Sequence, residues 1–496
     1  MRLWYIIFLI SLVLFGNCRQ RSLHTLEKNR TQLEREIDRV LSEENFDNAH
    51  WGVYVVALED GRELYRWNHN KLFMPASNTK LISTAAACMS LKPDFRYHTP
   101  FFVSGKIDND ILNGNLIVRG QGDPSLSPYF FKENRLEVFE QWAQQLKAKG
   151  VRTITGDLIG DVGWMTPDYL GQGWAWDYQS DYYAAQLSAL CFNDNIIEFT
   201  LQYDASQAEK YRLTTQPDID FLVFDEKKVE IVPPGKATGI SIERKLNTNH
   251  ISFKAAIDTT KSFTSEVTVN DPALFFLTCL SMVLNREGIK LEGRIRTSRD
   301  SVELDGLYNQ ADQIAEYQSP PLSEIIKTIL KVSHNLMAEQ VFRTMGYYFK
   351  GSSGTRSALD VVTTRFFSAA GIDDGRVQLA DGSGLSRYNL IAPKDFVRLL
   401  EYVYKSDFFQ TYYDCLPIAG VDGTIRGRMK NTAAFNNVHA KTGTISNVRA
   451  LSGYVTTRNG KMLAFSMIAN NYTTPVSLAT SIQDKICAIL AEYELP

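Results

Sequence analysis

Between residues 31 and 44 (TQLEREIDRVLSEE) the apolar side chains fall at Leu33, Ile37, Val40 and Leu41, with charged residues between them. That spacing predicts an amphipathic helix. Residues 51–58 (WGVYVVAL) form a β-rich apolar run, Glu59-Asp60-Gly61 supplies a turn, and residues 63–67 supply a partner, so a hairpin follows the helix. The far end of the chain offers the same parts in reverse. Residues 450–457 and 462–470 are β-rich runs joined through Arg458-Asn459-Gly460, and Asn-Gly between such runs is a strong hairpin signal. Residues 477–493 then close the chain as an amphipathic helix with Ile482, Ile486 and Leu490 on one face. A helix and antiparallel strands at both ends predict one shared domain, with the middle of the chain inserted into it. From about Thr99 to Pro320 short β-like runs, such as Leu116-Ile117-Val118 and Ile251-Ser252-Phe253, are broken by Gly, Asp and Asn, which predicts one or two mainly β modules.

Composition narrows the class. At 496 residues, 44% hydrophobic and 22% charged, the chain is globular and too long for a single core. A formal charge of −3 gives no electrostatic reason to expect nucleic acid as a partner. Residues 1–18 begin with one arginine and an apolar run to Phe15, too short to span a membrane and fit for a secretory signal. The run ends at Gly16-Asn17-Cys18, which leaves simple cleavage and lipid attachment at Cys18 both open. Cys88, Cys191, Cys279, Cys415 and Cys487 are scattered through apolar surroundings and predict small buried side chains. Neither they nor the seven histidines form a ligand cluster, so no metal centre and no cofactor is expected.

Three short motifs carry candidate chemistry. Ser77-Asn78-Thr79-Lys80 opens a helix-capable segment, and residues at i and i+3 share a helix face, so Ser77 can meet Lys80. A serine hydroxyl needs a base, and a lysine serves as one only where burial or a second cation favours the neutral amine. Ser333-His334-Asn335 precedes another helix start and offers a hydroxyl and an amide for proton transfer and substrate orientation, with His334 expected to be exposed. Lys441-Thr442-Gly443-Thr444 lies on or beside a strand and offers a cation, a hydroxyl and close backbone approach for a carboxylate and an oxyanion. Each motif alone also describes a helix cap or a strand-edge turn. Gly120-Gln121-Gly122-Asp123-Pro124 reads as a plain turn rather than a phosphate loop.

Taken jointly, in this order, the motifs match the S-x-x-K, S-x-N and K-T-G set of penicillin-binding proteins and serine β-lactamases. With about 250 residues between Lys80 and Ser333, the chain resembles the class C low-molecular-mass penicillin-binding proteins, the D-alanyl-D-alanine carboxypeptidase/endopeptidase family. Gly173-Trp174-Ala175-Trp176-Asp177, Asp381-Gly382-Ser383-Gly384-Leu385-Ser386 and Gly420-Val421-Asp422-Gly423-Thr424 look like that family as well. The resemblance implies an α/β (α+β) fold: a transpeptidase-like catalytic domain at 24–98 and 321–496, with a sheet flanked by helices. Two mainly β inserts would be nested in it, one at 99–180 and 265–320 and the other at 181–264. It further implies Ser77 as nucleophile, Lys80 as base, Ser333 as proton relay and Asn335 as orienting amide. Lys441, Thr442, Gly443 and Thr444 would bind the terminal carboxylate and oxyanion of peptidoglycan stem peptides, and β-lactams would acylate Ser77. The family's grip on a diamino acid would fall to Asp177, to Asp181 or to neither, because Tyr178 stands where the family often has a second acidic or amide residue. A cell-envelope or periplasmic location follows from the substrate. The competing readings are a non-catalytic peptidoglycan-binding envelope protein and, among enzymes, a β-lactamase.

Overall fold

The computed structural model describes residues 30–496 other than 44, 45, 47, 301 and 302, so the expected signal segment and Cys18 lie outside the described residues. Both ends of the chain build one five-stranded antiparallel sheet, in the order His439–Ile445, Val448–Thr456, Met462–Asn470, His50–Ala57, Glu63–Trp67. The first and last segments meet in register, with Val53 opposite Met467 and Val55 opposite Phe465. The runs are continuously apolar because both faces of the sheet are covered. Val53, Val55, Leu451 and Phe465 face the helices Gln32–Leu41 and Val476–Glu492, while Val56, Ala450, Ala464 and Ile468 face the opposite helical layer. Thr31 and Glu34 close the first helix with a reciprocal capping box. On the other face lie α1 (Thr79–Ser90), α2 (Leu322–Val332), α3 (Asn335–Lys350) and the helix Pro393–Tyr404.

The middle of the chain leaves and returns at adjacent points. The strand His98–Asp108 pairs antiparallel with Ala311–Gln318, and Tyr97 exchanges hydrogen bonds with Ser319. These strands belong to a seven-stranded sheet. Its first hairpin turns through Asn109 and Asp110, both at positive φ, the backbone that a two-residue hairpin favours. The sheet also carries two helices, Glu137–Ala148 and Pro272–Arg286. The spacing of Val138, Phe139, Trp142, Ala143 and Leu146 explains the first of them. A smaller module packs two three-stranded sheets around Phe199, Leu201, Ile251, Phe253 and Val267. Its strands run from Ile196 to Thr268. The expected span of 181–264 differs because Leu187, Leu190 and Phe192 pack into the larger insert's core instead.

Trp142 is 2% exposed and stacks on Phe101 with ring centroids 4.9 Å apart. Trp142→Ala should destabilise the larger insert by about 3–5 kcal/mol, seen as an earlier transition in chemical denaturation; an unchanged midpoint would show that this stack does not hold the insert together.

Candidate active site

Ser77 sits in a single 3₁₀ turn, Ala76–Asn78, that runs straight into α1. In 3₁₀ geometry side chains at i and i+3 eclipse, and Lys80 Nζ lies 2.9 Å from Ser77 Oγ. The turn is pinned to the sheet by a polar chain. Asn78 Nδ2 donates to Ser452 Oγ at 2.7 Å, and Ser452 Oγ donates to Ser466 Oγ at 2.8 Å. Ser452 stands opposite Lys441 in the strand ladder, so the same bond sets the turn beside the edge strand. Gly443 is required at that contact, since a Cβ there would stand 2.4 Å from Pro75 O.

Lys80 is fully buried. Besides its contact with Ser77, it donates to Asn335 Oδ1 and to Ser383 O, each at 2.6 Å. Asn335 Nδ2 donates to Tyr183 O at 2.8 Å, which fixes the amide with its oxygen toward the lysine. Burial pushes the Lys80 amine down to about 7, against the opposing influence of the Asp381 and Glu339 carboxylates. A neutral amine has two N–H bonds and one lone pair. It fits these surroundings by donating to the two carbonyl-type oxygens and accepting from the Ser77 hydroxyl.

Ser333 caps α2 in the left-handed conformation, φ 65°, a corner that turns the chain into α3. Its Oγ accepts from Lys441 Nζ at 2.9 Å. Lys441 is itself buried, and burial, reinforced by the charges of Lys80 and Arg449, holds its amine well below the ordinary lysine range. Thr442 Oγ1 donates to Thr424 Oγ1 at 2.8 Å, and Thr444 is exposed at the cleft. His334 is not exposed as expected: its ring is largely covered, caps α3 by accepting from Met337 N, and stands 3.3 Å from Asp194. The segment Gly120–Pro124 is not the plain turn expected but an extended stretch, with Gly122 N donating to Ala189 O, Asp123 bridging Leu190, and Asp123 accepting from Ser125.

The structure thus brings these residues to one cleft as two hydrogen-bonded groups, Ser77–Lys80–Asn335 and Ser333–Lys441, with Thr442, Gly443 and Thr444 alongside. It does not bring Asp177 there. Asp177 is exposed on the 3₁₀ turn Trp176–Tyr178, and Asp181 is engaged by the Tyr183 hydroxyl. The cleft, about 660 Å³, is walled instead by Tyr178, Tyr182 and Tyr183, and at its far end by Asp194, Glu198 and Glu266.

Several partners of the group were not singled out from the sequence. Glu339, four residues after Asn335 and on the same helix face, accepts from Gly382 N and Ser383 N. Burial and the Asp381 charge push its carboxyl up. Asp381 gathers Gly384 N, Ser386 N, Asn389 Nδ2 and Trp174 Nε1. The loop they build carries Gly384 at φ +85°, where a Cβ would stand 1.9 Å from Ala76 O. The signal available was the Asp-Gly-Ser-Gly-Leu-Ser run itself.

A serine hydroxyl in contact with a buried lysine amine, beside a second buried amine on a sheet edge, has the parts that a lysine-activated serine would use for acyl transfer. Residues 33–493 match the D-Ala-D-Ala carboxypeptidase 3 (S13) family, and the chain belongs to it. It is 33% identical over 93% of its length to the D-alanyl-D-alanine carboxypeptidase of Actinomadura sp. (strain R39), covering 85% of that protein. It is 29% identical over 86% of its length to the D-alanyl-D-alanine carboxypeptidase DacB of Haemophilus influenzae, covering 87% of it. The crystal structure of penicillin binding protein 4 (dacB) from H. influenzae superposes with a TM-score of 0.79 at 25% identity, over 93% of this chain and all of that one. That protein is also known in complex with a novel β-lactam.

In protein labelled with ¹³C at lysine Cε, one resonance should titrate near pH 7 and vanish in Lys80→Met. If the resonance lost in that variant titrates above pH 9, the amine is an ordinary one.

Proposed function

We propose that this serine-type D-Ala-D-Ala carboxypeptidase works through an ester on Ser77. Lys80 Nζ takes the Ser77 proton as Oγ attacks the carbonyl carbon between two D-alanines. The backbone N–H groups of Ser77 and Thr444 receive the oxyanion. The proton passes by way of Ser333 Oγ to the leaving amine, the C–N bond breaks, and D-alanine departs. Asn335 orients the substrate amide and Lys80, while Lys441 and Thr442 receive the terminal carboxylate. Water then attacks the ester, Lys80 takes a proton from it and returns one to Ser77 Oγ, and the shortened peptide leaves. β-Lactams enter by the same attack.

The observation that supports this most is the 2.9 Å contact between the buried Lys80 amine and the Ser77 hydroxyl. A base displaced to about 7 is half deprotonated at neutral pH, where a free lysine would hold its proton. The cleft continues past Ser333 to Glu198 and Glu266. That extension supports DD-endopeptidase action on cross-linked stem peptides as well. Such substrates put the protein in the bacterial cell envelope or periplasm, delivered by the N-terminal segment with or without a lipid on Cys18. Among the described residues no helix is long and apolar enough to cross a membrane.

Fluorescent penicillin should form a covalent adduct on the purified protein that Ser77→Ala abolishes, and D-alanine should be released from a pentapeptide muropeptide. Lys80→Ala, with unchanged circular dichroism, should slow acylation by roughly 10²–10⁴-fold. Labelling that persists in Ser77→Ala, or absence of D-alanine release, would refute the assignment; rapid turnover of the antibiotic would make the protein a β-lactamase.

A further inference from the structure

Residues 171–195 belong to the inserted part of the chain, and while Leu187, Leu190 and Phe192 pack into the larger insert's core, the segment also lies against α3 and the 381–388 loop. Gln340 Nε2 donates to Ser188 O, and His334 pairs with Asp194. We infer that this segment sets the position of Lys80 through two clamps, the Tyr183 carbonyl and the Trp174 indole, and that Trp174 is a positioning residue for the base. The inference rests on the assignment of Ser77 and Lys80 above.

The geometry is specific. Lys80 is held by two acceptors apart from Ser77, namely Asn335 Oδ1 and Ser383 O. The segment reaches the first directly and the second through Asp381. Tyr183 O takes the Asn335 amide N–H at 2.8 Å, which prevents the amide from turning its nitrogen toward the lysine. Trp174 Nε1 donates to Asp381 Oδ2 at 2.9 Å. Asp381 is the hub around which residues 381–386 fold, receiving Gly384 N at 2.8 Å and Ser386 N at 2.6 Å, and Ser383 lies between Asp381 itself and the Gly384 anchor. The approach of the segment is close and leaves little slack. Gly173, at φ +76°, would place a Cβ 2.6 Å from the Tyr388 ring and 2.8 Å from Ser386 Oγ. Trp176, two residues after Trp174, is 73% exposed and provides an internal contrast.

Electrostatics give the clamp a readable consequence. The charged groups around Lys80 are the Asp381 and Glu339 carboxylates, which favour its proton, and Lys441, with Arg343 behind Glu339. The indole N–H opposes part of the Asp381 charge. Without it more of that negative field reaches Lys80, the ammonium form gains, and the pH at which the base becomes active moves up. A contact that only held the loop in place would lower the rate equally at every pH.

The test follows acylation by fluorescent penicillin from pH 5.5 to 9 in wild type, Trp174→Phe and Trp176→Phe, each curve normalised to its own plateau so that a misfolded fraction does not enter. In Trp174→Phe the midpoint should move to higher pH and the rate at pH 7 should fall roughly tenfold, the scale of a hydrogen bond to a charged group. Trp176→Phe should leave the midpoint in place. The same measurement on protein carrying β-(3-benzothienyl)alanine at position 174, which keeps the ring shape but lacks the N–H, should reproduce the shift. An unmoved midpoint in either position-174 variant overturns the inference whatever happens to the rate. A wild-type protein that is not acylated at all refutes the assignment of Ser77 and Lys80 instead.

Discussion

Taking the Lys80 amine out of water is the constraint on which the rest of the site depends. Full burial of a lysine would by itself empty the position or force in a counter-ion, because an unpaired charge in a low-dielectric interior is costly. Among the described residues the amine hydrogen-bonds to no carboxylate. It meets two carbonyl-type oxygens and a hydroxyl, partners that suit the neutral form. The carboxylates of Asp381 and Glu339 stand one shell further away, each occupied with backbone N–H groups. Their field moderates the effect of burial without capturing the proton, which keeps the amine near neutrality rather than permanently charged or permanently bare.

Holding that arrangement requires backbone that the residues would not choose. Ala76, beside the nucleophile, has φ 47°, and Ser333 has φ 65°. Left-handed backbone costs a side-chain-bearing residue roughly 1–2 kcal/mol, and such positions persist only where their surroundings over-determine them. The surroundings here are the sheet contact through Asn78 and Ser452, the close approach at Gly443, and the Gly384 backbone against Ala76. Strain at Ser333 has a visible return: a glycine would relieve it but would supply no hydroxyl for Lys441.

Much of this was legible in the sequence, and the reason is locality. The terminal hairpins carry turn chemistry and periodicity within a few residues, so their existence and type were readable. Ser77 and Lys80 are one helical step apart, and Ser333 and Asn335 flank a helix start. What could not be read was who meets whom across large separations. Glu339, Asp381 and Trp174 act only through contacts made by folding; an alanine-glutamate-glutamine stretch in a helix, or a tryptophan in a glycine-rich loop, says nothing by itself about a lysine at position 80. His334 shows the same limit, since its cap and its pairing with Asp194 depend on a segment about 140 residues earlier. Asp177 is the converse case. The acidic residue was in the expected run, but the 3₁₀ turn at Trp176–Tyr178 leaves it in solvent while tyrosines face the cleft.

The nesting of the inserts gives these distant contacts their meaning. Because the chain departs at Tyr97 and returns at Ser319 side by side, the catalytic layers would close on themselves whatever was placed between. An insertion at such a junction disturbs the host little, since its two ends already meet. The sequence of contacts from Trp174 to Asp381 and from Tyr183 to Asn335 goes further than toleration. The inserted chain supplies one wall of the cleft and also touches Asn335, one acceptor of the base, and Asp381, the anchor of the loop that carries the other, so the cleft wall and the proton chemistry are parts of one packed unit. Displacement of that wall would therefore reach Lys80 through two hydrogen bonds, with no need for movement of α1 or of the sheet.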